Sequence, residues 1–380
     1  MSNSKLLYQI VYDTLHARIL SGTYHAGDLL PSEREIGEQF EVDRTTVRKA
    51  LQLLVEEQLV VKLPGIGTKI IGKDPLLPES VKIKTESRGK SNGTIGFFLP
   101  PSVHRTDRIS QPFYSSLFYY TEKEARARGY SCIYSTLDEN DDFEEMLERQ
   151  HYEGIIFLSN TPEKFITIAQ NAGIPCILTN EYSNQTLSFL ADSTNGMIKM
   201  CEYLISLGHK RFALISGIES YLTSQERLIG CTYTFAKNSI PEPYYLSCDW
   251  EPDTAYQITK KLLLSVDVLP TAIVAFNDNI AFGCLRAASE LGLRIPQDIS
   301  IVGFDDIEQS RYSIPRLTTV HASIETLAKS SLQGLLIQIA DPSYNTNLKC
   351  YVPCSLSIRD SSGPPPKISP KLTNLKKEQN

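Results

Sequence analysis

The chain has 380 residues, enough for two or three domains, and its 41% hydrophobic content allows a sizeable core. A net charge of −6 excludes a protein that coats nucleic acid by bulk positive charge, and no apolar run approaches the roughly 18 residues of a membrane span. Eight cysteines stand singly with no CxxC pair, so neither a disulfide framework nor a zinc site is expected.

The first 20 residues are charged and helix-periodic, with neither the apolar stretch nor the cleavage site of a signal peptide, which predicts a cytoplasmic protein. Leu6, Leu7, Ile10, Val11, Thr14, Leu15 and Ile19 recur at helical spacing, and Gly22 stops the run. Ser32 followed by Glu35 is a capping box for a second helix through Phe40. Asp43 can cap a third helix that buries Val47, Leu51, Leu54 and Val55. VVKL (60–63), a Pro-Gly-Ile-Gly turn and TKII (68–71) then form a two-stranded wing.

The third helix carries the chemistry of interest in residues 1–72. Arg44 and Arg48 are four apart and share a face, with Thr45, Lys49 and Gln52 on an adjoining stripe. Arginine can bond guanine bidentately, and Thr and Lys suit phosphates and thymine methyls, so the face fits a major groove. Taken alone, it is better read as a solvated amphipathic helix. Residues 1–72 carry eight Lys and Arg against nine Asp and Glu, so any affinity for DNA rests on where charges sit.

Residues 73–92 are rich in Pro, Lys, Ser and Glu without a period and read as a linker, and 363–380, with three consecutive prolines, reads as a disordered tail. Between them, 93–362 alternate strand and helix. TIGFFL (94–99), CIYST (132–136), GIIFL (154–158), CILTN (176–180), FALISG (212–217), TAIVAF (271–276) and ISIVGF (299–304) are continuous apolar strands. Such strands imply parallel sheets covered on both faces, here in two lobes. Ligands of open α/β sheets bind beyond the carboxyl ends of the strands. Phe113, Tyr114, Asp192, Arg227, Trp250, Asn277, Asp278, Asp305 and Asp306 all follow strand ends. Asp, Asn and Arg bond adjacent hydroxyls and an aromatic ring covers a C–H face, which is the chemistry of sugar binding. Each residue also has a plain structural role open to it: Asp192 or Asn277 can cap the next helix, and a lone Trp can be core.

The stretch 30–70, LPSEREIGEQFEVDRTTVRKALQLLVEEQLVVKLPGIGTKI, closely resembles the GntR family of winged helix-turn-helix regulators. The resemblance implies that Arg34 contacts backbone or groove edge, that Arg44, Thr45, Thr46 and Arg48 lie on the recognition helix beside Lys49, and that Gly65 lets the wing approach the minor groove. Glu41 and Asp43 stand where the family usually has Gly and Ser. The segments QPFYSSLFYYTEKEARARGY, GHKRFALISG, PTAIVAFNDNIAFGCLRA and RIPQDISIVGFDDIE resemble LacI-type regulators, which share the type I periplasmic-binding-protein fold. That resemblance implies an α/β sensor of two lobes joined by about three crossings. It places Phe113, Asp192, Arg227, Asn277 and Asp305 in a sugar cleft and Trp250 where an aromatic stacks on the sugar.

A GntR-type head on a LacI-type sensor resembles the Bacillus-type arabinose-operon repressors. The implied protein is a repressor that binds double-stranded operator DNA as a homodimer and is released by a small sugar, L-arabinose or another pentose first. No cofactor, metal, membrane or enzymatic activity is expected. A transport-type sugar-binding protein would need a signal peptide and no head. The aminotransferases fused to some GntR heads would need a Schiff-base lysine, for which no convincing context exists. His209, in LGHKRF, is expected to end a helix in its positive form.

Overall fold

A computed structural model describes residues 7–20, 24, 28–56, 59–63, 67–70, 93–102, 107–344 and 347–367. The chain divides into two units, Met1–Lys84 and Thr85–Asn380. The linker assigned to 73–92 and Gly65 lie outside the described residues.

In the first unit, helices α1 (Leu7–Leu20), α2 (Glu33–Phe40) and α3 (Arg44–Glu56) precede a hairpin of β1 (Val60–Leu63) and β2 (Gly67–Ile70), paired antiparallel from Val60↔Ile70. Local chemistry sets the helix ends. The Ser32 hydroxyl accepts from Glu35 N, and Ser32 N donates back to Glu35 Oε2 at 2.7 Å. Asp43 Oδ1 accepts from Thr45 N and Thr46 N, both at 2.8 Å, and these bonds hold its carboxyl below the usual range. Val11, Leu15, Ile36, Val47, Leu51, Leu54 and Leu59 close a common core. Helix α2 ends at Glu41 in the left-handed region, φ 53° and ψ 42°. A side chain costs free energy there that glycine avoids, which explains the family's glycine at this position.

The second unit holds two six-stranded sheets. The first lobe runs β3 (Thr94–Leu99), α4 (Pro112–Ala127), β4 (Ser131–Thr136), α5 (Phe143–Arg149), β5 (Gly154–Leu158), α6 (Glu163–Asn171), β6 (Cys176–Thr179) and β7 (Ser188–Ala191). The chain then crosses to α7 (Ser193–Ser206), β8 (Phe212–Ser216), α8 (Leu222–Lys237), β9 (Tyr244–Ser247), α9 (Pro252–Ser265), β10 (Ala272–Ala275), α10 (Asp278–Glu290), β11 (Ser300–Asp305) and β12 (Thr318–Ala322). It returns for α11 (Ile324–Ala340) and β13 (Lys349–Val352), and crosses once more to β14 (Cys354–Ser357). The sheet orders are β13-β7-β6-β5-β3-β4 and β14-β12-β11-β10-β8-β9. Every pairing in them is parallel except β12 with β14. Each sheet is packed on both faces, as its continuous apolar strands require. The three crossings fall at 192, 323 and 353, between β7 and α7, β12 and α11, and β13 and β14.

Two expectations need correction. The tail assigned to 363–380 starts too early: the Gly363 carbonyl accepts from His209 Nε2 at 2.8 Å and from Ser300 Oγ at 3.1 Å, tying 363 to the second lobe, while 368–380 lie outside the described residues. His209 follows α7, as the sequence implies, but it is 1% exposed, and burial lowers its pKa despite the bond to Gly363. It is therefore held neutral. No described helix is long and apolar enough to cross a membrane.

Two outcomes follow from these positions. Glu41→Gly should raise the stability of the head by about 1 kcal/mol, read as a shift in its urea midpoint. A histidine held neutral in the fold leaves the unfolded state to bind the extra proton, so its contribution is present above about pH 6.5 and is lost as pH falls. The urea midpoint should thus decline as pH falls below about 6.5, and His209→Gln should flatten that decline.

Candidate functional site

The carboxyl ends of both sheets face one cleft with about 750 Å³ of open space. The first lobe contributes Arg108, Phe113 and Tyr114 after β3, Asn160 after β5, and Asn180 and Glu181 after β6. The second contributes Tyr221 and Arg227 after β8, Asp249 and Trp250 after β9, Asn277 after β10, and Asp305 at the end of β11. Seven described non-glycine residues have positive φ, and four of them, Asn160, Asn180, Trp250 and Asp305, line this cleft. Strain of this kind gathers where the chain must turn side chains toward a site.

Arg227 organises the second-lobe wall. It is 5% exposed, and its guanidinium donates to the Phe276 carbonyl and, at 3.3 Å, to Asp305 Oδ1. It lies 3.8 Å from the Phe304 ring centroid and 5.8 Å from that of Trp250. Burial raises the Asp305 carboxyl to about 6 against the opposing pull of Arg227. Arg227 Nε and Trp250 Nε1 are buried donors without a protein partner in the structure. Trp250, at φ 71°, lies flat against Gly217, where a Cβ would meet the indole Cε2 at 2.0 Å.

Five of the six cleft residues expected from sequence, Phe113, Arg227, Trp250, Asn277 and Asp305, are brought together. Asn277 has both roles open to it, since its Oδ1 also accepts from Ile280 N at 2.8 Å to cap α10. Asp192, the sixth, does not line the cleft. It stands at the first crossing, and its carboxylate accepts from Asn195 N at 3.2 Å and Asn195 Nδ2 at 2.8 Å, capping α7. Asp278 is wholly buried and bonds Ile307 N, Ser310 Oγ and Thr319 Oγ1. Burial and the charge of Asp305 push its pKa up to about 8 against the pull of those three bonds. Asp306 turns away to Arg359, His321 and Ser357.

Sequence reasoning missed the polar wall of the first lobe. Asn160 is the second residue after the strand GIIFL and Glu181 directly follows CILTN, so the strand-end rule would have found them. Arg108 had no such signal, because it lies in a short 3-10 turn, Arg108–Ser110. Only 3% exposed, it donates to the carbonyls of Pro100 and Ser159, the Tyr114 hydroxyl and Asn160 Oδ1. The lobes meet across the cleft where Gln111 Nε2 donates to Glu251 Oε1 at 3.0 Å. Near the third crossing, Lys349 Nζ and Tyr351 OH of β13 both donate to Glu226 Oε1 on α8.

In the head, Arg34, Arg44, Thr45, Arg48 and Lys49 are exposed and Thr46 is half-buried. Arg34 pairs with Glu38 at 3.5 Å, and Lys49 Nζ sits 4.1 Å over the Tyr8 ring. Arg44 Nε and Arg48 Nε reach one oxygen, Glu33 Oε2, at 3.0 and 2.9 Å.

A three-helix head with a wing and a two-lobed, three-crossing sensor together define a bacterial transcription regulator. Residues 7–70 match the family described as bacterial regulatory proteins, gntR family, and 201–362 match the periplasmic binding protein-like domain. The probable HTH-type transcriptional repressor ExuR of Bacillus subtilis is 28% identical over 336 residues, covering 86% of this chain and 97% of its own. The HTH-type transcriptional repressor PurR of Haemophilus influenzae is 30% identical over 237 residues, 60% of this chain and 70% of its own. Among solved structures, the lac repressor dimer bound to operator and the anti-inducer ONPF aligns with a TM-score of 0.63 and 26% identity, covering 72% of this chain and 96% of that one. A LacI family regulator from Enterococcus faecium with bound ribose aligns with a TM-score of 0.63 and 27% identity over 71% of this chain and 99% of that one. The chain belongs to the transcriptional repressors that join a GntR-type head to a LacI-type sensor.

The Gly217–Trp250 contact gives a direct check. Gly217→Ala should drive the indole out of its seat, shifting the emission of the only tryptophan to the red and costing about 1–3 kcal/mol in a urea titration. Unchanged emission would contradict the packing described.

Proposed function

We propose that the protein represses transcription as a homodimer on a two-fold operator, and that a small neutral sugar in the cleft releases it. The observation that carries the sugar is the second-lobe wall: the Arg227–Asp305 pair beside Trp250 and Asn277 on one cleft. Asp305 and Asn277 would take vicinal hydroxyls, and Trp250 would cover the C–H face of the ring. The ribose-bound Enterococcus faecium regulator supports a pentose-sized ligand, and L-arabinose heads the panel on the sequence resemblance. Lobes that both bond the sugar close in proportion to its preference for the closed form. The GntR-type head supports DNA reading through Arg34, Arg44, Thr45, Thr46, Arg48 and Lys49, with Gly65 on the wing. The operator-bound lac repressor dimer supports a homodimer, whose two heads require a palindromic site. A coupling of about 1–3 kcal/mol between the sites suffices, and operator must weaken sugar binding by the same factor. A cytoplasmic location belongs to this role.

The test is a titration of the purified protein with L-arabinose, ribose, xylose, hexoses and disaccharides, read by Trp250 fluorescence, alongside an operator duplex selected from a randomised pool. Arg44→Ala and Arg48→Ala should abolish operator binding and leave the sugar response intact. Arg227→Ala and Asp305→Ala should do the reverse. Sugar affinity should fall as pH drops through about 6, where Asp305 takes up a proton and ceases to be a pure acceptor. If each class of variant lost both activities, or no sugar altered the fluorescence, this assignment would be wrong.

A further inference from the structure

The head holds an arrangement that the proposed DNA reading does not require. Arg44 and Arg48 do not each find an acid of their own; both place Nε on a single carboxylate oxygen, Glu33 Oε2, at 3.0 and 2.9 Å. The acid comes from α2, not from the arginines' own helix. It is also the sheltered partner: its side chain is 22% exposed, against 69% for Arg44 and 58% for Arg48. Burial alone would raise its pKa, but the bonds from Arg48 and Arg44 outweigh burial and hold it below the usual range, so it remains charged. Glu33 is not needed to start α2, because Ser32 and Glu35 already form the capping box.

Three physical consequences follow. A guanidinium bonded through Nε keeps its two terminal nitrogens for a second planar partner, such as the O6 and N7 of guanine. Residues four apart on a helix rise by about 6 Å, close to the roughly 7 Å between bases two steps apart, so two arginines anchored on one carboxylate at that spacing suit two such guanines. One carboxylate also cancels one of the two positive charges, in a head whose acids slightly outnumber its bases. That lowers attraction to phosphate of any sequence while leaving the bonding edges available.

We propose that Glu33 is a specificity-determining positioning residue: it fixes Arg44 and Arg48 as a matched pair for reading two guanines and suppresses binding to non-operator DNA. The inference rests on the assignment of α3 as the reading helix. It differs from simple masking, in which Glu33 would hide the arginines and let go on DNA; masking predicts that freeing them strengthens operator and non-operator binding alike.

The experiment compares the full chain with Glu33→Gln, Glu33→Asp and Arg44→Ala on two duplexes, one selected by the unmodified protein from a randomised pool and one of alternating A·T pairs. Glu33→Gln should lower the ratio of selected to A·T affinity by at least about tenfold, the scale of one bidentate base contact. Its A·T binding should tighten severalfold, and the slope of log affinity against log salt should steepen by about one phosphate's worth, roughly 0.9. Glu33→Asp keeps the charge on a side chain one methylene shorter. It should retain the shallow salt slope while losing the discrimination, an outcome that a purely structural role would not produce. Far-UV melting curves check that the heads stay folded. A Glu33→Gln protein with unchanged discrimination, or with both affinities raised equally, overturns the proposal and leaves the reading helix standing. Full operator affinity in Arg44→Ala would overturn both.

Discussion

Arg227 carries a charge into a wall of the cleft where only 5% of its surface meets solvent, and much of the second lobe is arranged around that fact. An ion buried without partners costs several kcal/mol, and a paired one holds only while its geometry is good. Here the geometry comes from three strands at once. The Phe276 carbonyl comes just after β10, β11 supplies Asp305 and the face of Phe304, and the loop after β9 lays Trp250 alongside. Removing Asp305 would leave the guanidinium without its carboxylate partner, so the pair that lines the cleft also holds three strand ends in register.

The lobes are joined by side chains that work close to the crossings. At the first crossing, the Asp192 carboxylate is taken up by the open end of α7, which keeps it out of the cleft. Glu226 immediately precedes Arg227 on α8, yet it faces the other lobe and grips Lys349 and Tyr351 of β13. Adjacent residues of one helix thus touch the cleft and the joint, so a shift of α8 is felt at both.

How much was legible varied with how local the signal was. The helix ends of the head were readable because a capping box and an N-cap are decided within four residues, as at Ser32–Glu35 and Asp43. The central strands were readable because burial on both faces demands continuous apolar runs. β13 (Lys349–Val352) and β14 (Cys354–Ser357) were not, since edge strands half open to solvent carry Lys, Tyr and Ser and show no such run. Trp250 and Asp305 could be placed near the cleft from their strand ends, while Arg108 depends on an irregular turn and a partner 51 residues away, Ser159. GPPPK looks like a solvated tail by composition, and only the buried His209 and Ser300 reveal that its first residue docks.

The order of the crossings also governs when the molecule becomes complete during synthesis. The described elements of the head end at Ile70, but the first sheet lacks its edge until β13 and the second until β14, which ends at Ser357. At about 5–20 residues per second, a nascent chain would carry a finished head for some tens of seconds before either sheet could close. During that interval the head would exist without the two-sheet unit that follows it in the chain.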